Sequence, residues 1–225
     1  MKKILFGVFA GLILAAFISI SSCKKDDTAA PVISLSGANP YTLSLNSTYS
    51  DPGATASDDE DGTVSVTVDA SAVNEDLTGT YIVHYSASDA AGNIGMGERT
   101  VIVKNDADYL AGSYVNAYDT CSSTPASIFD ATVTASTTVN RKISIGNFGA
   151  FGTAITVDLS VDAAGIITGI NLPQSLGGGT QLDVIYSTNP ASSVISQSSP
   201  VQFKIHYHWI DASSNFDECI STYTR

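Results

Sequence analysis

From Pro31 onward, apolar and small polar residues alternate with a period of two. Val32-Ile33-Ser34-Leu35-Ser36 and Tyr41-Thr42-Leu43-Ser44-Leu45 begin the series. Thr63–Val68, Tyr81–Tyr85 and Arg99–Lys104 continue it. Such alternation buries one face of a strand and wets the other, so each run predicts a strand. Turn residues separate the runs: Asp51-Pro52-Gly53, Asp61-Gly62, Gly79 and Ala91-Gly92-Asn93. Lys104-Asn105-Asp106-Ala107-Asp108 is polar and carries no strand pattern, and a domain boundary is placed there. Beyond it, eight further strands are expected: 112–117, 131–136, 142–146, 154–161, 166–172, 181–187, 201–210 and 219–224. Ala163-Ala164-Gly165, Gly177-Gly178-Gly179 and Asn189-Pro190 supply breaks between them. No segment holds a helical period over three turns. The expected class is all-β: a β-sandwich over 31–104, then a second sandwich or a small up-and-down barrel over 105–225.

The start of the chain obeys a different pattern. Met1-Lys2-Lys3 is basic, and Ile4–Ile18 is a run of 15 residues without a charge. A bilayer span takes ~20 residues, so this run has the shape of a secretory leader. Ile20-Ser21-Ser22-Cys23 follows and resembles a bacterial lipobox. That resemblance implies cleavage before Cys23, acylation of Cys23, and attachment to a membrane through the lipid. Residues 1–22 are then the signal peptide and 23–30 a lipidated tether. Lys24-Lys25-Asp26-Asp27 is similar to the surface-export signals of Bacteroidetes lipoproteins, which implies the outer leaflet of the outer membrane.

A second resemblance covers nearly all of the first sandwich. Its residues are Pro31-Val32-Ile33, Tyr49–Ala54, Ala56-Ser57-Asp58, Asp61-Gly62, Gly79–Tyr85, Asp89–Asn93 and Arg99-Thr100-Val101. In order and spacing they resemble the bacterial immunoglobulin-like repeats of pesticidal crystal proteins and hyalin-repeat surface proteins. The resemblance implies seven strands and a spacing or adhesive role, without catalysis. Tyr109–Tyr114 is similar to the opening of C-terminal β domains of unknown function in Bacteroidetes lipoproteins.

Charge narrows the partners. Ten Lys and Arg against 22 Asp and Glu leave a formal net charge of −12. Phosphate backbones are repelled by such a chain, so no nucleic-acid partner is expected. Ten Tyr and eight Phe argue against disorder. With Cys23 acylated, Cys121 and Cys219 remain, and an exported protein can join them. The expectation is a disulfide stapling the first and last strands of the second domain.

Candidate chemistry is sparse. Asp58, Asp59 and Asp61 stand in the densest acidic run, beside Gly62. Oxygen donors at such a turn suit calcium, and Asp51 and Asp89 would have to converge from other loops. The run lacks the spacing of a full calcium loop, and its plain reading is a solvated acidic turn. His206 and His208 share one face of a strand and could hold zinc if Asp211 or Asp217 joined them. The plain reading is an aromatic core face backed by outward histidines. Tyr186, Tyr207 and Trp209 could form a platform for stacking a sugar, although core packing is the commoner use of such rings. No nucleophile elbow, metalloprotease helix or phosphate loop is present. The expectation is a non-enzymatic surface lipoprotein without cofactor that binds a glycan or a protein. Its alternatives are a small hydrolase using carboxylates of the second domain, or a structural part of an envelope assembly.

Overall fold

The computed structural model describes residues 26–152, 155–186 and 192–225. The expected leader, Cys23, Lys24-Lys25 and the expected break at Asn189-Pro190 lie outside the described residues. Seven strands make the first domain: β1 (Val32–Leu35), β2 (Tyr41–Ser44), β3 (Ala54–Asp58), β4 (Gly62–Val64), β5 (Val66–Asp69), β6 (Gly79–Ser88) and β7 (Ile94–Lys104). They form two sheets, ordered β1-β3-β4 and β2-β7-β6-β5. Leu43, Leu45, Val83, Tyr85, Val101 and Val103 fill the space between them. The run Thr63–Val68, expected as one strand, is two. It breaks at Ser65, and its halves join opposite sheets through β3 and β6. A period of two cannot show which neighbour a residue will pair with, so this corner was invisible in the pattern.

The two sheets approach closely at β7. A Cβ at Gly95 would sit 1.8 Å from the Pro31 carbonyl oxygen, and one at Gly97 would sit 3.0 Å from Ile33. Glycine at these positions is what allows the chain entering β1 to lie on β7.

Ten strands make the second domain: β8 (Gly112–Cys121), β9 (Ser127–Ala135), β10 (Lys142–Gly146), β11 (Thr156–Val161), β12 (Ile167–Gly169), β13 (Gln174–Gly177), β14 (Thr180–Ile185), β15 (Ser193–Ser196), β16 (Gln202–Ile210) and β17 (Phe216–Thr224). The sheet runs β12-β11-β10-β9-β8-β17-β16 and then β14-β13, all antiparallel. β15 also pairs with β16, alongside the half that β14 leaves open. It closes the sheet on itself, because Ile166 bridges Ser193. The Ile167 amide donates to the Ser192 carbonyl at 2.8 Å, and the Val194 amide to Gly165 at 2.8 Å. The result is a barrel, mostly up-and-down. The sequence pattern missed β13 and β15. The first ends in the glycine triplet, where Gly177, Gly178 and Gly179 all take positive φ to turn the hairpin. The second, Ser-Val-Ile-Ser, is too short to show an alternation.

The lumen is packed with side chains. Ile143 and Ile145, Val157 and Leu159, Phe203 and Ile205 all point inward and are fully buried. Tyr114, Phe129, Phe203 and Tyr223 meet there with ring centroids 4.5–6.0 Å apart. Aromatic contacts of this kind stabilise beyond their buried area. Cys121 and Cys219 are directly opposed across β8 and β17 and are disulfide-bonded. They staple the strands that begin and end the domain, as expected.

The polar segment 104–108 is a hydrogen-bonded joint. Asn105 is buried, and its Nδ2 reaches the carbonyls of Ser136, Val139 and Lys142 at 2.9–3.1 Å. Its Oδ1 accepts from the amides of Ala107 and Arg141. Asp106 accepts from Ser44 Oγ at 2.7 Å and pairs with Arg141 at 2.9 Å. From the first domain, Asn46 donates to the Thr138 carbonyl and accepts from the Asn140 amide. Polar residues are here because backbone groups of the 136–142 loop need partners.

Candidate functional site

β16 separates its side chains cleanly. Phe203, Ile205 and Tyr207 enter the lumen, while Lys204, His206 and His208 lie on the other face, where His206 is nonetheless buried. The outer row is the centre of a polar and aromatic patch. Tyr186 stacks on His206 with centroids 4.5 Å apart and an interplanar angle of 27°. Its hydroxyl donates to Glu218 Oε1 at 3.3 Å. Burial raises the Tyr186 pKa, and the Glu218 carboxylate adds to that rise. His208 Nδ1 lies 3.4 Å from Asp183 Oδ2, and β16–β17 register sets Glu218 directly opposite His208. Phe216 flanks His208 at 5.1 Å and is 66% exposed. Rings and carboxylates thus alternate across one outer face of β14, β16 and β17. Aromatic faces can take apolar surface there, and carboxylates can accept hydrogen bonds from hydroxyl groups.

The expected platform is corrected by this geometry. Tyr207 is 0% exposed, and its hydroxyl donates to the buried Asp119 at 3.0 Å. Trp209 packs inward against Phe151. Strand alternation puts both on the opposite face from His206, so of the three rings only Tyr186 belongs to the outer patch. Asp183, Phe216 and Glu218 were not singled out in the sequence. The parity of β16 and β17 would have pointed to Phe216 and Glu218 had their register been known.

No zinc set forms from His206 and His208 among the described residues. Asp217 is on the inward face of β17. Its carboxylate takes the amides and hydroxyls of Ser122 and Ser123, and the Thr124 hydroxyl. Burial opposes ionisation of Asp217, but these donors prevail and hold its pKa below the usual carboxylate range. Asp211 closes its own turn, accepting from the amides of Ser213 and Asn215.

The acidic run is also rearranged. Asp51 is drawn toward the core of the first domain, where it accepts from Tyr49 at 3.0 Å and Tyr85 at 2.6 Å and faces Arg99. Asp59 is exposed, and Asp61 accepts from the Ala90 amide at 2.7 Å. Asp58 does meet Asp89, and the third member of their cluster is Asp27, ahead of β1. Nothing in the local pattern around Asp27 signals that approach.

Comparison with known proteins bears on the first domain. Residues 33–103 match the family described as bacterial surface protein, Ig-like domain. Over that segment the chain is similar to the Ig-like domains of bacterial surface proteins, in keeping with its two packed sheets. Among solved structures, the lipoprotein BT2262 from Bacteroides thetaiotaomicron is similar at 17% identity, with a TM-score of 0.36. The match covers 85% of this chain and 98% of that one. The CBM51-2 and INT domains of Clostridium perfringens ZmpB, solved with GlcNAc, are similar at 14% identity and a TM-score of 0.26. That match covers 86% of this chain and 43% of the other. No curated protein matches the chain in sequence.

Proposed function

We propose that this chain is a non-catalytic surface lipoprotein that binds a glycan through the outer face of its barrel. Cys23 carries the lipid and holds the protein at the outer membrane. The immunoglobulin-like domain acts as spacer, and the hydrogen-bonded joint at Asn105 and Asp106 fixes the barrel beyond it. The observation that carries this reading is the patch of Tyr186, His206, His208 and Phe216 interleaved with Asp183 and Glu218. A sugar offers both an apolar ring face and hydroxyl donors, and the patch offers the complement of each. The filled lumen supports an external rather than an enclosed site.

The test is a screen of the full-length protein, in detergent, against a glycan array and purified matrix proteins. Selective retention on one glycan class is expected. Phe216→Ala and Tyr186→Ala should each weaken it tenfold or more, while Met96→Ala on the first domain should leave it unchanged. Retention insensitive to both ring deletions, binding to matrix proteins alone, or chemical turnover of the glycan would overturn the reading.

A further inference from the structure

At the end of the sandwich nearest the tether, three carboxylates from distant parts of the chain converge. One oxygen each from Asp27, Asp58 and Asp89 lie within 4.8 Å of one another. Asp27 precedes β1, Asp58 ends β3, and Asp89 follows β6. Like charges brought this close repel, and among the described residues no ion pair neutralises them.

Each carboxylate is held in place by backbone donors. Asp58 Oδ1 accepts from the amides of Glu60 at 2.9 Å and Asp61 at 3.0 Å. Asp89 Oδ1 accepts from the Asn93 amide at 2.8 Å, and its Oδ2 accepts from Asn93 Nδ2 at 2.8 Å. Asn93 Nδ2 also donates to the Asp27 carbonyl at 3.2 Å, which ties the tether to Asp89. Asp27 Oδ1 takes the Ala29 amide.

The second observation is an orphan. Asp58 is 6% exposed, and its Oδ2 is buried and accepts no hydrogen bond among the described residues. A buried carboxylate oxygen without a donor is costly, and each such group needs an explanation. A cation at the cluster supplies the missing partner and cancels the repulsion together. A cavity of about 80 Å³ adjoins the cluster, lined in part by Asp27, Asp59 and Glu60.

We propose that Asp27, Asp58 and Asp89 form a calcium site that fastens the tether to the immunoglobulin-like domain. Oxygen ligands at ~2.3–2.6 Å from a central ion stand up to about 5 Å apart, which accommodates the observed spacing. The donors are all hard oxygens with no histidine or thiolate among them, which favours calcium over zinc or copper. Magnesium demands stricter octahedral geometry than three carboxylates from separate segments provide.

The experiment is calcium titration of the full-length protein by isothermal calorimetry, with scanning calorimetry in calcium and in chelator. Saturable binding of one ion is expected, with a dissociation constant of order 10⁻⁴–10⁻³ M, as in extracellular modules. Calcium should raise the melting temperature of the first domain by stabilising the folded form alone. Asp58→Asn and Asp27→Ala should each weaken binding tenfold or more, and Asp69→Ala, on an exposed position of β5, should not. Asp27 lies outside the strands, so its replacement keeps the test valid if the Asp58 variant misfolds. The absence of saturable binding up to 10 mM (about tenfold above that range) overturns the proposal. So do unchanged affinity in Asp27→Ala, or an equal response to magnesium.

Discussion

Replacing Arg99 with methionine should cripple the first domain while leaving the barrel folded. Arg99 is 0% exposed, on β7 between the two sheets. Its Nε donates to Tyr85 Oη at 2.9 Å and lies 3.4 Å from Asp51 Oδ1. Its two terminal nitrogens serve the carbonyls of Ala38, Ser36 and Gly53. One guanidinium thus satisfies three loop carbonyls, a tyrosine and a carboxylate. Methionine keeps the apolar stem and removes every donor. Asp51 is only 18% exposed, so its charge would stay largely buried without a counter-ion. Breaking a buried pair on one side costs about 3–5 kcal/mol. For a domain of this size each kcal/mol lowers the melting temperature by roughly 4–8 °C, so a fall of at least ~12 °C is expected. Arg99→Lys should recover little, because a single ammonium cannot span all of these acceptors. Scanning calorimetry reads the first domain, and the fluorescence of Trp209, the single tryptophan, reads the barrel. A melting temperature within ~4 °C of the parent, about 1 kcal/mol, would refute the reasoning. It would mean that the desolvation of the guanidinium cancels what its partners supply.

Three further outcomes can be checked. The Cys121→Ala/Cys219→Ala double variant should lose about 4–5 kcal/mol in urea unfolding followed at Trp209, because the bond spans 98 positions of the chain; a loss below ~1 kcal/mol would contradict the chain-entropy account. Burial raises the Asp119 carboxyl pKa, against hydrogen bonds from Ser221 and Tyr207. The folded form therefore holds that proton more tightly, so this contribution to barrel stability is full below the unfolded pKa, ~3.9, and is lost as pH rises through the folded value. Asp119→Asn should flatten that dependence in unfolding curves taken across acid pH, and an unaltered slope would exclude Asp119 as its source. Asn105→Ala removes the side chain that joins the 104–108 segment to the 136–142 loop; small-angle scattering should show a broader spread of domain orientations, and an unchanged profile would show the joint to be held elsewhere.

Much of the strand content was legible because alternation marks any strand with one wet face. Lys142–Gly146 was placed to the residue, since Ile143 and Ile145 alternate with Ser144 between clear turns. β15 was not legible, since four residues, Ser-Val-Ile-Ser, are too few to show an alternation. The disulfide was expected from the cysteine count and compartment, and its cross-strand register came from the fold. For the candidate patch, strand parity already separates His206 and His208 from the aromatic face of Tyr207 and Trp209, but the face that Tyr186 joins depends on the β14–β16 register, and the fold sets it on His206.

What the chain's own order of residues determined was local: where strands run, where they turn, and which side of each is apolar. What tertiary structure alone decided was company. It brought Asp27, from outside any strand, to Asp58 and Asp89; it sent Asp51 to Arg99 instead; and it set Glu218 beside His208. The reason is physical. Periodicity follows from the geometry of a single strand, whereas the meeting of side chains depends on register and sheet closure, which are fixed only when distant strands pair and bury a shared core.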